Sequence, residues 1–381
     1  MKVWPKVALG ELLQRSNEFA VLDPSAEYHE VTIKLWGKGI VSRGKVRGSD
    51  VVSVRRRVRA NQLILSKIDA RNGAIGLVPP ELDGAIVSND FPSFEFRDPD
   101  RCDAAFMGWL VRSSPFVELC KAASEGTTNR VRIKEDRFLD QQIALPPLAV
   151  QQALVVRLDA LAKKTRQVEA HLDAVERDAD QLIRSYIFGR EGERPAKRRL
   201  SELVSQRQPD VAVDGTARYR FAGVYSFGRG VFPSTVKMGS EFAYQRLSTI
   251  RAGDFIYPKL MAWEGALGVV PPECDGMVVS PEFPVFTINT EAVLPEVLDI
   301  YFRTPDVWPI LAEISGGTNA RRRRLQPAAF LIYEMPVPPM VKQLELRAIY
   351  QHAQALRAKH AAIREANVAL LPATLERLFE T

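Results

Sequence analysis

Cysteine is scarce in this chain. Cys102, Cys120 and Cys274 are odd in number and form no CxxC pair. That excludes a disulfide framework and a thiol metal site, and they read as small buried hydrophobes in a reducing compartment. The four histidines (His29, His171, His352 and His360) are scattered, so no metal-ligand spacing is visible. No apolar run approaches the length that crosses a bilayer. The N-terminal MKVWPKVALGELLQ lacks the continuous apolar stretch of a secretory signal, so a cytoplasmic protein is expected. Catalytic signatures are missing too. There is no GxxxxGK phosphate loop, no GxGxxG after a strand, no HExxH and no GxSxG elbow. No cofactor, metal or catalytic residue is therefore assigned.

What is present is an ordinary globular composition over 381 residues, 46% apolar and 26% charged, enough for two domains with substantial cores. A net charge of +6 and a pI near 9.2 suit nucleic acid or an acidic protein partner.

The chain repeats itself. Residues 73–94 read GAIGLVPPELDGAIVSNDFPSF and residues 265–286 read GALGVVPPECDGMVVSPEFPVF, identical at fourteen of twenty-two positions with an offset of 192. The same offset carries Pro146-Pro147 onto Pro338-Pro339 and Gln151 onto Gln343. Near the start of each copy it is 191, matching Leu9 to Leu200, Tyr28 to Tyr219 and Gly37 to Gly228. A tandem duplication of this size predicts an internal pseudo-dimer with an approximate two-fold axis.

Each copy carries the same order of elements. A short helix (Leu9 to Leu13; Leu200 to Val204) precedes a divergent strand-like stretch, then a strand ending at Lys67 or Lys259. The Gly/Pro segment follows as strand–turn–strand; within it, Asn89-Asp90-Phe91-Pro92 reads as a structural turn. Two short helices come next (Ala104 to Val111 and Pro115 to Ala123; Val297 to Phe302 and Asp306 to Ile314). A Gly/Thr/Asn/Arg loop and a final strand then lead to the Pro-Pro pair.

Beyond each Pro-Pro pair lies a long helix. From Leu145 to Gly189 no further proline or glycine interrupts the pattern. Leu154, Leu158, Leu161, Val168, Leu172, Val175 and Leu182 recur at steps of three and four once Thr165 and Ala179 are counted, a heptad seam. The second helix, about Val341 to Phe379, keeps the rhythm through Ile349, Ala353, Leu356, Ile363 and Leu370, with His360 and Asn367 on the same stripe. Pro372 should kink or end it. The expected layout is a first domain over 1–145, a helix over 146–189, a linker over 190–199, a second domain over 200–337 and a helix over 338–381.

The candidate binding residues are basic and aromatic, with the Thr and Asn of the Gly/Thr loops. In the first copy they are Lys34, Trp36, Lys38, Arg43, Lys45, Lys67, Arg71, Thr127, Thr128, Asn129, Arg130 and Arg132. In the second they are Arg229, Lys237, Lys259, Trp263, Thr318, Asn319, Arg321, Arg322, Arg323 and Arg324. Four adjacent arginines repel one another unless an anion is near, and a phosphate backbone supplies one. Scaffold segments match between copies while 14–58 and 205–250 hardly do. That pattern fits two readers of different targets, with phosphate contacts from shared positions and base contacts from divergent ones.

Leu145-Pro146-Pro147-Leu148-Ala149-Val150-Gln151, Val337-Pro338-Pro339-Met340-Val341-Lys342-Gln343 and the helix after each carry a family likeness, supported by Arg251-Ala252-Gly253-Asp254-Phe255-Ile256. Over essentially its whole length the chain resembles the DNA specificity (S) subunit of type I restriction–modification systems. It departs from that pattern at Val150 and Lys342, where the family usually has Glu before the Gln, and at Asn61-Gln62, which replaces a Gly-Asp pair. The resemblance implies two target recognition domains of mixed α/β (α+β) fold. It also implies that the two helices pair as an antiparallel coiled-coil spacer. Each domain would read half of a split double-stranded DNA target. The helices would dock two modification (methyltransferase) subunits, and two restriction (endonuclease/translocase) subunits would join the complex. The subunit itself would be non-catalytic; the complex would use S-adenosylmethionine, with ATP and Mg²⁺ when restriction subunits are present. The competing expectation is a stand-alone DNA-modifying enzyme with an unrecognised active site, and a third is a DNA-binding protein acting without a methyltransferase.

Overall fold

The computed structural model describes residues 4–126, 131–189, 194–317 and 323–379. The protein is mixed α/β and divides into two compact units. One holds Met1–His171 with Ala362–Thr381, the other Leu172–Ala361. Among the described residues no helix is long and apolar enough to cross a membrane.

The two units are built to one plan. In the first, a four-stranded antiparallel sheet runs in the order Leu13–Ser16, Ser93–Phe96, Leu63–Leu65, Ile75–Leu77. In the second the order is Val204–Arg207, Val285–Ile288, Phe255–Ile256, Gly268–Val269. Each unit also has a mixed sheet around a long hairpin. It pairs Glu27–Ile33 with Ile40–Arg47 in the first unit and Arg218–Tyr225 with Gly230–Met238 in the second. A two-residue strand lies parallel to the first arm of each hairpin (Ile86–Val87; Val278–Val279). The second unit adds an edge strand, Val211–Ala212.

Each unit closes on a two-stranded ribbon. Lys6–Ala8 pairs with Gln142–Ala144, and Lys197–Arg199 pairs with Glu334–Pro336. The chain thus enters and leaves each fold at one ribbon, immediately before the Pro-Pro pair. Past the Gly/Thr loops two short helices appear that the sequence pattern does not mark, Glu135–Leu139 and Pro327–Ile332.

The long helices span Leu148–Phe188 and Met340–Phe379. Pro147 starts the first, its carbonyl accepting from the Val150 and Gln151 amides. Gly189, with φ of 74°, closes it in the left-handed conformation that glycine tolerates. Both helices belong to the cores. Leu158, Ala162, Leu375 and Phe379 are buried with Leu9, Phe94, Phe106 and Phe138 in the first unit. In the second, Ile183, Ile187, Leu346 and Ala353 are buried with Phe255, Tyr257, Phe302 and Phe330. Each buried Leu, Ile or Phe among them contributes about 1.5–3 kcal/mol. That is why the C-terminal helix runs on through Pro372 rather than ending there. The lost backbone hydrogen bond is offset by seating Leu375 and Phe379, the latter edge-on to Phe106 at 5.8 Å.

The packed line of the helices differs from the apolar heptad. Leu158, Leu172 and Ala353 lie on it, but Val168, Leu182, Leu356, Ile363 and Leu370 are exposed, and Leu154, Leu161, Val175 and Ile349 are half-buried. At two positions the buried residue is one place further along, Ala162 beside half-buried Leu161 and Ile183 beside exposed Leu182, and between them Glu169 and Glu176 are half-buried, as Val175 is. The reason is that charged pairs take part in the seam. In the first unit Glu169 pairs with Arg364, and the Asn367 amide donates to the Thr165 carbonyl at 2.9 Å. In the second, Asp180 pairs with Arg357, and Glu176 Oε1 lies 2.8 Å from Nδ1 of the buried His360. Both sets run antiparallel.

Candidate nucleic-acid interface

In each unit the turn after the central lysine strand is hydrogen-bonded to two other segments. The strand Leu63–Leu65 leads to the Lys67 turn, whose amide donates to the Asp90 carbonyl at 2.8 Å. The Lys67 carbonyl accepts from the Ile133 amide at 2.8 Å. The second unit repeats this, with Lys259 N–H to Glu282 at 2.9 Å and the Leu325 amide to Lys259 at 2.8 Å. Beside them Ser124–Glu125 pairs with Arg132–Ile133, and Gly316 bridges Arg324 in the other copy.

The cations at these shared positions are tied into the loops they belong to. Arg132 pairs with Asp90 and Arg324 with Glu282, both at 2.7 Å. Lys67 Nζ lies 2.9 Å from Glu135, which also holds Arg15 at 3.0 Å. Lys259 Nζ donates to the Pro281 carbonyl at 3.0 Å, and the half-buried Trp263 donates its indole N–H to the Leu260 carbonyl at 3.0 Å. The run Arg55-Arg56-Arg57 is likewise occupied, by Glu30, by Asn17 and Asn89, and by Glu18. Opposite charges around the loops hold them in register and make the rim electrically mixed.

Other candidates sit on the long hairpins. Lys34, Lys38 and Arg43 are exposed in the first unit and Lys237 in the second. Lys45 reaches Glu27 only at 3.7 Å. Arg71 and Arg323 are half-buried. Arg229 lies over the Tyr225 ring at 4.6 Å and donates to the Ser226 carbonyl. Thr127, Thr128, Asn129, Arg130, Thr318, Asn319, Arg321 and Arg322 lie outside the described residues.

The tip of each long hairpin is held against the turn that follows the lysine strand. Trp36 N–H donates to the Asn72 carbonyl (2.9 Å) and Gly37 N–H to Gly73 (3.0 Å); in the second unit Phe227 donates to Glu264 (2.8 Å) and Gly228 to Gly265 (3.0 Å). Trp36 and Phe227 both have positive φ, 59° and 63°, and are 68% and 64% exposed. Phe227 is absent from the sequence-derived candidates, although the offset that matches Gly37 to Gly228 also matches it to Trp36.

The junction glutamines have a structural role. Gln151 is fully buried. Its Oε1 accepts from the Asp103 amide at 2.8 Å, and its Nε2 donates to the Pro146 and Arg101 carbonyls at 2.8 and 3.0 Å. Gln343 repeats the pattern with the Leu294 amide (2.8 Å) and the Pro338 and Ala292 carbonyls (2.8 and 3.3 Å). Each glutamine bolts the first turn of a long helix to the segment that begins the domain's own helices.

Asp299 is held above the usual carboxylate range by burial, against the opposing pull of Arg303 at 2.8 Å, and it supports the neighbouring strand by accepting from the Val269 amide. Burial pushes the Cys102 and Cys120 thiols up to about 12. Among the described residues no cluster of His, Cys, Asp or Glu could hold a metal ion.

No protein-family model and no curated protein matches the chain by sequence. Solved structures do match its fold. The HsdS subunit from Thermoanaerobacter tengcongensis is 21% identical, with 99% of this chain and 96% of that chain covered at a TM-score of 0.58. A chain from a structure described as the "structural basis underlying complex assembly and conformational transition of the type I R-M system" is 19% identical, with 98% and 95% covered at a TM-score of 0.60.

Proposed function

We propose that the chain is the DNA-specificity subunit of a type I restriction–modification complex, a non-catalytic protein that reads a split double-stranded target. The observation that carries this reading is the pairing of one repeated framework with two unlike long hairpins, over a fold that matches a specificity subunit along 99% of its length. A framework used twice and decorated differently suits two readers with different half-sites. The exposed cations Lys34, Lys38, Arg43 and Lys237 suit phosphate contact, which fixes register on the duplex, while divergent side chains read bases.

In this proposal the chain supplies address and partners supply chemistry. Two methyltransferase subunits would use S-adenosylmethionine, and two restriction subunits would use ATP and Mg²⁺. The apolar residues left exposed on the long helices, Val168, Leu182, Leu356, Ile363 and Leu370, suit docking of the methyltransferase subunits. The test is to co-purify the full chain with its methyltransferase partner and select from a randomised duplex library. A bipartite consensus with a fixed gap is expected, and its adenines should be methylated only when both proteins are present. Methyl transfer or cleavage by the chain alone, abolished by one carboxylate substitution, would favour the stand-alone enzyme instead.

A further inference from the structure

Trp36 and Phe227 occupy equivalent places in two otherwise divergent hairpins. Bulky side chains rarely adopt positive φ, because Cβ crowds the following carbonyl, and residues held there against that cost cluster at functional sites. Here neither backbone preference nor burial favours a large ring: φ is 59° and 63°, and 68% and 64% of each residue is exposed. The strain is enforced by the surroundings. Each residue is followed by a glycine at φ of 65° or 66°, where a larger residue would be strained. A Cβ on Gly37 would lie 3.0 Å from Arg112, and one on Gly228 would lie 2.9 Å from the Arg303 carbonyl oxygen. The paired backbone hydrogen bonds to the 72–73 and 264–265 turns then lock the loop. Phe227 has one aromatic neighbour, Trp308, at 6.1 Å, and its outer part remains open.

Charge around these rings favours one occupant. Lys34 and Lys38 flank Trp36, and neither has an ion-pair partner among the described residues. Arg229 follows Phe227, and Lys237 lies on the same hairpin. An exposed flat ring beside cations matches nucleic acid, whose bases take the ring and whose phosphates take the charge. A hydrophobic protein partner would not require the cations.

We propose that Trp36 and Phe227 are base-contacting residues, one for each half of the DNA target, with Lys34, Lys38 and Arg229 holding adjacent phosphates. This rests on the DNA-specificity reading. It deepens that reading by assigning equivalent rings of different size to the two half-sites.

The test compares the full chain with its Trp36→Asn, Phe227→Asn and Lys34→Ala/Lys38→Ala variants, using a randomised duplex library and then the selected duplexes. Asparagine tolerates the left-handed conformation, so melting should stay at or above the wild-type temperature. Trp36→Phe and Phe227→Trp supply variants that keep a ring. Each Asn variant should bind the selected duplex roughly tenfold or more weakly, with an unchanged slope of affinity against salt. Each should lose base preference in one half of the consensus, a different half for each. The lysine variant should instead lower the salt slope by about one to two and leave the consensus intact. The ring-keeping variants should retain most of the affinity. Asn variants that select the wild-type consensus with wild-type affinity would overturn the proposal. So would variants that keep DNA binding but lose the methyltransferase partner, or that melt markedly lower. A wild-type chain that enriches no sequence would instead overturn the DNA-specificity reading itself.

Discussion

Gln151 and Gln343 show how a single buried amide can join two structural layers. Each side chain satisfies one backbone N–H and two carbonyls that are buried or partly buried. Gln151→Ala should therefore destabilise the first unit by about 2–3 kcal/mol, because the stranded Asp103 amide keeps its desolvation penalty. Gln343→Ala should act alike on the second. Urea denaturation of the full chain measures this, and a change under 1 kcal/mol would show that water or a local shift replaces the bonds. The cysteines allow a second prediction at this scale. With the Cys102 and Cys120 thiols pushed up to about 12 by burial and Cys274 also buried, almost no thiolate exists at pH 8. The native chain should resist iodoacetamide and take up three labels by mass once unfolded; rapid labelling of the native chain would contradict the burial.

At the scale of elements, the duplicated Gly/Pro segment and the closing Pro-Pro junctions were legible because the copies share identical residues there. Short elements without a period were not. Glu135–Leu139 and Pro327–Ile332 are too brief to show helical spacing, and a final strand alone was expected in that place. The partners of Lys67 and Arg132 were equally hidden, since Glu135 and Asp90 lie 68 and 42 residues away. The helices are the instructive case. An apolar heptad is visible through Leu161, Val168, Val175 and Leu182, yet the buried positions there are Ala162 and Ile183, with half-buried Glu169 and Glu176 between them. Glu169 and Glu176 face Arg364 and His360, and hydrophobicity cannot mark a seam that charge pairs complete. Ala162→Asp should accordingly cost about 3 kcal/mol or more, since it buries an unpaired carboxylate. Val168→Asp, at a site 38% exposed, should stay within about 0.5 kcal/mol; under the proposed function it would instead weaken capture of a methyltransferase subunit. Equal destabilisation by the two would place the seam back on the apolar line.

For the whole molecule, the consequential fact is that each long helix belongs to two cores. Leu158 and Ala162 are buried in one unit while Ile183 and Ile187 are buried in the other, and Leu346 and Leu375 divide in the same way along the C-terminal helix. Each helix is thus buried at one end in each unit. If the two units read separate half-sites, the helices set the gap between them. Inserting seven residues after His171 and seven after Ala361 preserves the heptad phase on both helices. It adds about 10 Å at 1.5 Å per residue, or about three base pairs. The variant should select the same two half-sites from a randomised duplex library with the gap widened by that amount. An insertion in one helix alone should fail to assemble, because the pairs Glu169–Arg364 and Glu176–His360 could not both form. If the matched insertion left the gap unchanged, the helices would hold the fold together without measuring the DNA.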